Sequence, residues 1–236
     1  MQENSADPHA DPLTYSADSE VCCNDAWEEA YARFETPEEE IRKFQRRLSR
    51  AGAAEWPRES EILEIFCGRG NGLHALQSLG LTRLEGADLS ASLLAQYQGP
   101  ARLHVCDCRQ MPFEDRSKDV VIVQGGLHHL PTLPEDLERT ISEARRVLRD
   151  GGLFFVVEPW LTPFLSFVHR VSEIRWVRRL VPKIDAFAVM TENERETYEQ
   201  WLSQPEAVKA LLEKHFSVER CSTAWGKILF LGRKGP

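Results

Sequence analysis

The sequence predicts an α/β fold: a mostly parallel, seven-stranded sheet with helices on both faces. Two observations carry that expectation. Five short apolar runs, at residues 61–66, 83–88, 102–106, 119–124 and 153–158, alternate with helical patterns, the rhythm of βαβ units. The first run breaks into a loop with glycine at alternate positions, Gly68, Gly70 and Gly72, as a strand-to-helix turn requires where backbone takes positive φ or passes close to a ligand. Two further apolar runs, 217–222 and 227–231, close the chain around Trp225-Gly226 and complete the strand count.

Taken in order, residues 1–24 are rich in Asp, Ser, Pro and Ala, and are expected to be a disordered tail. In residues 25–52, Trp27, Tyr31 and Phe34 recur at helical spacing, and Pro37 opens a second helix through Ile41, Phe44 and Leu48. The two form an N-terminal helical lid. A core of residues 53–160 follows, with helices expected at 73–79, 90–97 and 134–149. For the last, Thr132 and Glu135 suggest a capping box and Gly151-Gly152 a stop. Residues 161–215 carry more helix than one crossover needs, and read as a helical cap inserted between the fifth and sixth strands, with 216–236 returning to the core.

Composition narrows the function. The 236 residues carry a net charge of −8, which disfavours nonspecific nucleic-acid binding. The six cysteines form no disulfide framework: Cys22 and Cys23 are adjacent, Cys67 sits in the glycine loop, and Cys106 and Cys108 flank Asp107. That usage suggests a reducing cytoplasm. The longest apolar stretch, 153–168, is broken by Glu158, Pro159 and Pro163 and falls short of the roughly 20 apolar residues of a spanning helix, so no membrane insertion is expected. His104, Cys106 and Cys108 alternate on one strand, but with no matching second ligand pair no metal is expected there.

The chemistry gathers at the carboxyl ends of the strands, where open α/β sheets bind ligands. Glu64 lies inside the first strand, where an aliphatic residue would serve structure better. The glycine spacing is not G-x-G-x-x-G, and no G-x-x-x-x-G-K-[ST] is present. Asp88 ends the second strand twenty residues after Gly68, placed either to accept from ribose hydroxyls or to cap the next helix. Asp107-Cys108 follows the third strand, Gln124-Gly125-Gly126-Leu127-His128-His129 the fourth, and Glu158 ends the fifth. Residues 62–72 resemble motif I of the class I S-adenosylmethionine (SAM)-dependent methyltransferases, specifically the small-molecule type 11 group. Met111-Pro112-Phe113-Glu114-Asp115 followed by Lys118-Asp119-Val120-Val121 is similar to that group's "LPF…FDVV" pattern, with Lys118 a departure from its usual aromatic or apolar residue.

The resemblance implies a Rossmann-like sheet whose last strand runs antiparallel, and SAM as cofactor. It also implies roles. Glu64, Cys67, Gly68 and Gly70 approach the cofactor; Asp88 and Leu89 hold the ribose; Asp107 accepts from the adenine amino group while the Cys108 backbone N–H meets a ring nitrogen; Gln124 and Gly125 pass the sulfonium; and Tyr31 covers its amino-acid end. His128 or His129 is the candidate general base, because imidazole titrates near neutrality, with Glu158 orienting it or binding the acceptor. The cap's aromatic density, with Trp160, Phe164 and His169 as candidate contacts, suits an apolar or aromatic small-molecule acceptor. Its basic stripe, Arg170, Arg175, Arg178, Arg179 and Lys183, reads as a solvated helix face, with recognition of an anionic substrate or a membrane surface as the sharper alternative. The expected activity is methyl transfer to a small molecule, preferably at oxygen, with no metal. Two alternatives stay open: a SAM-binding protein that does not methylate or uses SAM for another reaction, and an NAD(P)-dependent oxidoreductase.

Overall fold

The computed structural model describes residues 13–15 and 25–236. Its sheet has eight strands in the order β1-β4-β3-β2-β5-β6-β8-β7. These are β1 (Leu13–Tyr15), β2 (Ile62–Ile65), β3 (Leu84–Asp88), β4 (Arg102–Val105), β5 (Lys118–Gln124), β6 (Leu148–Pro159), β7 (Ser217–Ala224) and β8 (Lys227–Arg233). β1 to β6 are mutually parallel, while β8 runs antiparallel to β6 and to β7, as the resemblance implied. Seven strands are the expected ones. The eighth corrects the disordered-tail expectation locally: Leu13–Tyr15 pairs with β4 at the sheet edge. The rest of that tail, with Cys22 and Cys23, lies outside the described residues.

β2 is central and all four of its residues are buried, as a parallel strand covered on both faces demands. Strand alternation then makes two cores. Leu63, Ile65, Val121, Val123, Phe154 and Val156 face one side, packed with Leu137, Ile141 and Ala144 of α5 (Glu135–Val147). Ile62, Val120, Ile122, Phe155 and Val157 face the other, against Phe44 and Leu48 of α2 (Pro37–Arg50) and Leu73 and Leu76 of α3 (Asn71–Ser78).

The helices bear out the pattern with local corrections. α1 (Asp25–Phe34) precedes α2, and the capping box sits on α2: Thr36 and Glu39 exchange side-chain and backbone bonds. α5 has no such box, because Pro134 is its N-cap and Asp136 takes the Thr132 N–H at 3.1 Å. It ends at Val147, so Gly151-Gly152 belong to β6 rather than to a helix stop. The helix expected at 90–97 shortens to α4 (Ala91–Leu94). Five helices follow β6: α6 (Pro163–Ser172), α7 (Arg175–Leu180), α8 (Pro182–Asn193), α9 (Arg195–Ser203) and α10 (Pro205–His215). α8 packs along α1, and Lys183–Glu39 and Arg33–Asp185 ion pairs, 2.8 and 3.2 Å, link lid and cap into one roof. Lys118 is buried: its ammonium is bound to Glu85 and lies over the Phe113 ring, 4.7 Å away. His104 meets the same Glu85 at 2.8 Å.

Candidate active site

β2 has neighbours whose connections leave in opposite directions, so a crevice opens at the carboxyl ends of β2 and β5. The roof closes over it, enclosing about 990 Å³.

The three loop glycines are there for different reasons. Gly68 (φ +52°) borders the crevice, and a Cβ there would find no atom nearer than Leu93 Cδ1 at 4.0 Å. Gly70 (φ +78°) does not border it; a Cβ there would lie 2.3 Å from the Tyr97 ring, so packing alone requires glycine at this position. Gly72 makes room for Glu64, whose Oε1 would stand 1.9 Å from an added Cβ.

Glu64 is 2% exposed. Gln124 Nε2 donates to its Oε1 at 3.3 Å, while Oε2 has no hydrogen-bond partner. Burial, with Glu40 and Asp88 nearby, pushes its carboxyl up to about 8, so it is protonated at neutral pH. Gln124 Oε1 is likewise buried without a partner.

Asp88 accepts from the Gly68 N–H at 2.8 Å and the Ser90 N–H at 2.9 Å. It therefore ties the glycine loop to the next turn, and the helix-cap alternative falls to Ser90, whose hydroxyl accepts from the Leu93 N–H at 3.2 Å. Asp107 is engaged by Arg109, whose Nε and Nη2 reach it at 3.0 and 2.6 Å. Arg109 is held in turn by Asp136 at 3.1 Å. Cys67, Leu89 and Cys108 line the same wall, and burial pushes both thiols well above their ordinary value.

At the β5 end, Gly125 (φ +89°) leaves open space, and Gly126 admits the Phe66 side chain, 2.2 Å from where a Cβ would lie. Glu158 is wholly buried beneath this loop. Its Oε1 accepts the N–H groups of Gly126 and Leu127, each at 2.8 Å, and its Oε2 meets His128 Nδ1 at 2.6 Å. Burial would raise its carboxyl, but the charge of the adjacent His128, together with those bonds, holds it below the usual carboxylate range. An ionised carboxylate only accepts, so His128 Nδ1 carries a proton and Nε2 is left toward the crevice. Glu158 thus lies against His128 and not on the crevice wall.

Glu194 of the cap was not singled out from the sequence. Its carboxylate stands 3.9 Å from His128 Nε2 and 3.4 Å from His129 Nδ1, and accepts the Trp27 indole N–H at 2.8 Å. One ligand atom each from His128, His129 and Glu194 falls within 4.8 Å of the others, a set able to hold a cation.

The lid end is polar. Tyr31 lines the crevice, donates to Glu40 and stacks on Trp27 at 5.0 Å, with the Arg69 guanidinium over its ring. Glu40, 2% exposed, also accepts from Asn71 at 2.7 Å and Arg69 at 3.2 Å. Beside them, burial, aided by Arg47 and Lys43, pulls the Lys227 ammonium down to about 7. Glu40 was legible: Glu40, Phe44 and Leu48 are the inward stripe of α2.

Of the three expected acceptor contacts, Phe164 lines the crevice, with Phe34, Val168, Phe187 and Met190. Trp160 does not. It packs against the sheet core and donates its backbone N–H to Gly226 at 2.9 Å. His169 is also outside, stacked behind Phe187 and 3.1 Å from the Tyr198 hydroxyl; Phe187 and Tyr198 supply the walls instead.

The glycine loop on a central parallel strand, acids at successive strand ends and an antiparallel last strand define a class I SAM-dependent methyltransferase domain. The methyltransferase-domain family model matches residues 63–156, from β2 into β6, so this segment carries that domain, with SAM as the cofactor it implies. A demethylmenaquinone methyltransferase of Chlorobaculum parvum is 28% identical over 136 residues, 55% of this chain and 53% of that protein. The chain thus spans about half the length of the curated relatives it matches. Two solved structures share the fold. One is a Pyrococcus horikoshii protein (TM-score 0.64, 17% identity, covering 90% of this chain and 100% of that one). The other is a SAM-dependent methyltransferase of Methanosarcina mazei (TM-score 0.53, 19% identity, covering 76% and 94%). No helix among the described residues is long and apolar enough to cross a membrane.

Proposed function

We propose that the protein transfers a methyl group from SAM to a small, largely apolar acceptor at oxygen, with His128 as general base and Glu158 as the group that holds it. The observation that carries this reading is the Glu158–His128 pair. A buried, fully bonded carboxylate fixes the imidazole tautomer and leaves Nε2 as an acceptor at the crevice.

The residues suit SAM on their own chemistry. Glu64 Oε2 and Gln124 Oε1 are buried polar atoms lacking partners, and both border the crevice where a cationic, polar ligand would satisfy them. Asp88 and Asp107 would hold the ribose and adenine ends. Glu40 and Arg69, with Tyr31, would hold the amino-acid end. When bound, SAM supplies a methyl group already activated by its sulfonium. The roof's task is then to exclude water and orient the acceptor, which can supply roughly 7–11 kcal/mol. The phenyl and indole walls of Phe34, Phe164, Phe187 and Trp27 favour an apolar ring. Curated relatives from Chlorobaculum parvum and Symbiobacterium thermophilum carry the name demethylmenaquinone methyltransferase. His128 Nε2 takes the acceptor proton, and Glu158 stabilises the imidazolium that results.

The test is His128→Gln, assayed with labelled SAM against a panel of lipophilic phenols. Turnover should fall by about 10²–10⁴-fold with SAM affinity unchanged. Near-normal turnover would remove the base and point to a nitrogen or carbon acceptor.

A further inference from the structure

The roof carries a second feature that methyl transfer does not use. All the large exposed apolar side chains among the described residues, Val218 excepted, lie within residues 161–181 or at Trp225. Phe167, Trp176, Leu180 and Trp225 are 63, 65, 72 and 78% exposed. Monomeric soluble proteins rarely gather such groups in one place.

Their arrangement is ordered. On α6, Phe164, Phe167 and Val171 follow one stripe, which Ile174 extends into the turn. On α7, Trp176 and Leu180 make a ridge at i, i+4, and Arg175 and Arg179 a parallel ridge beside it; no residue of α7 is buried. Trp225, in the β7–β8 turn, meets Phe164 edge-on at 5.4 Å and joins that turn to the same face.

Charge says what covers it. The chain as a whole is acidic, at −8, yet Arg170, Arg175 and Arg179 on this face form no ion pair among the described residues. Arg178 is instead held by Asp185 and Glu192. An isologous second copy would set these arginines against themselves. An anionic lipid surface would take the arginines at its headgroups and the aromatic and leucine side chains in the layer below, as interfacial helices do. The face also continues into the crevice mouth, since Phe164 and Trp225 border both.

We propose that α6, α7 and the β7–β8 turn form a docking face for an anionic lipid surface, which the protein touches without spanning. Lipid docking goes beyond the methyltransferase reading and does not need it; only the added role of delivering an apolar acceptor to the crevice rests on that reading.

Flotation of the full chain with vesicles tests the surface alone. It should bind phosphatidylcholine vesicles enriched in phosphatidylglycerol and not pure phosphatidylcholine. Added salt should release it. Arg170→Gln/Arg175→Gln/Arg179→Gln should weaken partition on the order of 100-fold, about fivefold per arginine. Phe167→Ser/Trp176→Ser should lower it at least about tenfold while leaving S-adenosylhomocysteine titration unchanged, which shows the fold intact. Failure to bind the anionic vesicles, or binding by both variants as tight as that of the unmodified chain, overturns the proposal. So does a lipid-free dimer that Phe167→Ser/Trp176→Ser dissolves. Loss of S-adenosylhomocysteine binding by the unmodified chain, with vesicle binding intact, would instead overturn the methyltransferase reading alone.

Discussion

Glu64 should lose a proton when SAM binds. In the free protein its carboxyl sits near about 8 instead of 4.5, because burial withdraws water and only Gln124 donates to it. The folded chain therefore holds a proton that the unfolded chain releases. That contribution to stability is complete below pH 4.5 and is lost as pH rises through about 8. Its full size, from 4.5 to about 8, is on the order of 5 kcal/mol. A cationic ligand against Oε2 reverses the preference and draws the carboxylate form, so SAM affinity should rise up to about tenfold per pH unit below pH 8. Glu64→Gln, which mimics the protonated group, should flatten that dependence. Titration calorimetry at pH 7 in buffers of different ionisation heat reads the released proton directly. The difference between wild type and Glu64→Gln isolates Glu64 from the ligand's own titrating amine. Equal proton release and equal pH dependence in both would refute the placement of a cation at Glu64.

Other perturbations separate packing from binding. Gly68→Ala should cost about 1–2 kcal/mol for its positive φ and weaken SAM at least about tenfold, because its Cβ enters the crevice. Gly70→Ala should lower the melting temperature more, through the Tyr97 clash, and thermal denaturation beside SAM titration distinguishes the two. Zinc should inhibit turnover by occupying His128, His129 and Glu194, EDTA should restore activity, and Glu194→Gln should blunt the inhibition; zinc-insensitive turnover would count against a free Nε2 on His128. Glu158→Gln should lower kcat about as far as His128→Gln while leaving SAM affinity intact, because it loses the tautomer lock on the base.

Much of the fold was legible because its signals are local. Each core strand declares itself by a buried apolar run; Asp88 and Glu158 stand out as acids at strand ends, while Asp107, two residues past β4, takes its meaning from the family resemblance. Leu13–Tyr15 was not, since three residues carry too little pattern to mark an edge strand. The cap was misread in direction rather than in kind. Aromatic density says nothing about which way a side chain points, so Trp160 and His169 fell outside the crevice while Phe187 and Tyr198 lined it. Glu194 and Lys227 reach the site only through the packing of distant elements, and no spacing in the chain announces them. The solvated basic face expected of the cap is basic, but the aromatic groups beside it are exposed as well, which periodicity alone does not reveal.

A crystal structure with S-adenosylhomocysteine tests the central claim most directly. The ribose should lie at Asp88, the adenine beside Asp107 and Cys108, and the sulfur at the Gln124–Gly125 opening with His128 Nε2 facing it. A ligand bound outside the crevice, or one whose sulfur points away from His128, would contradict the assignment of this crevice as the site of methyl transfer.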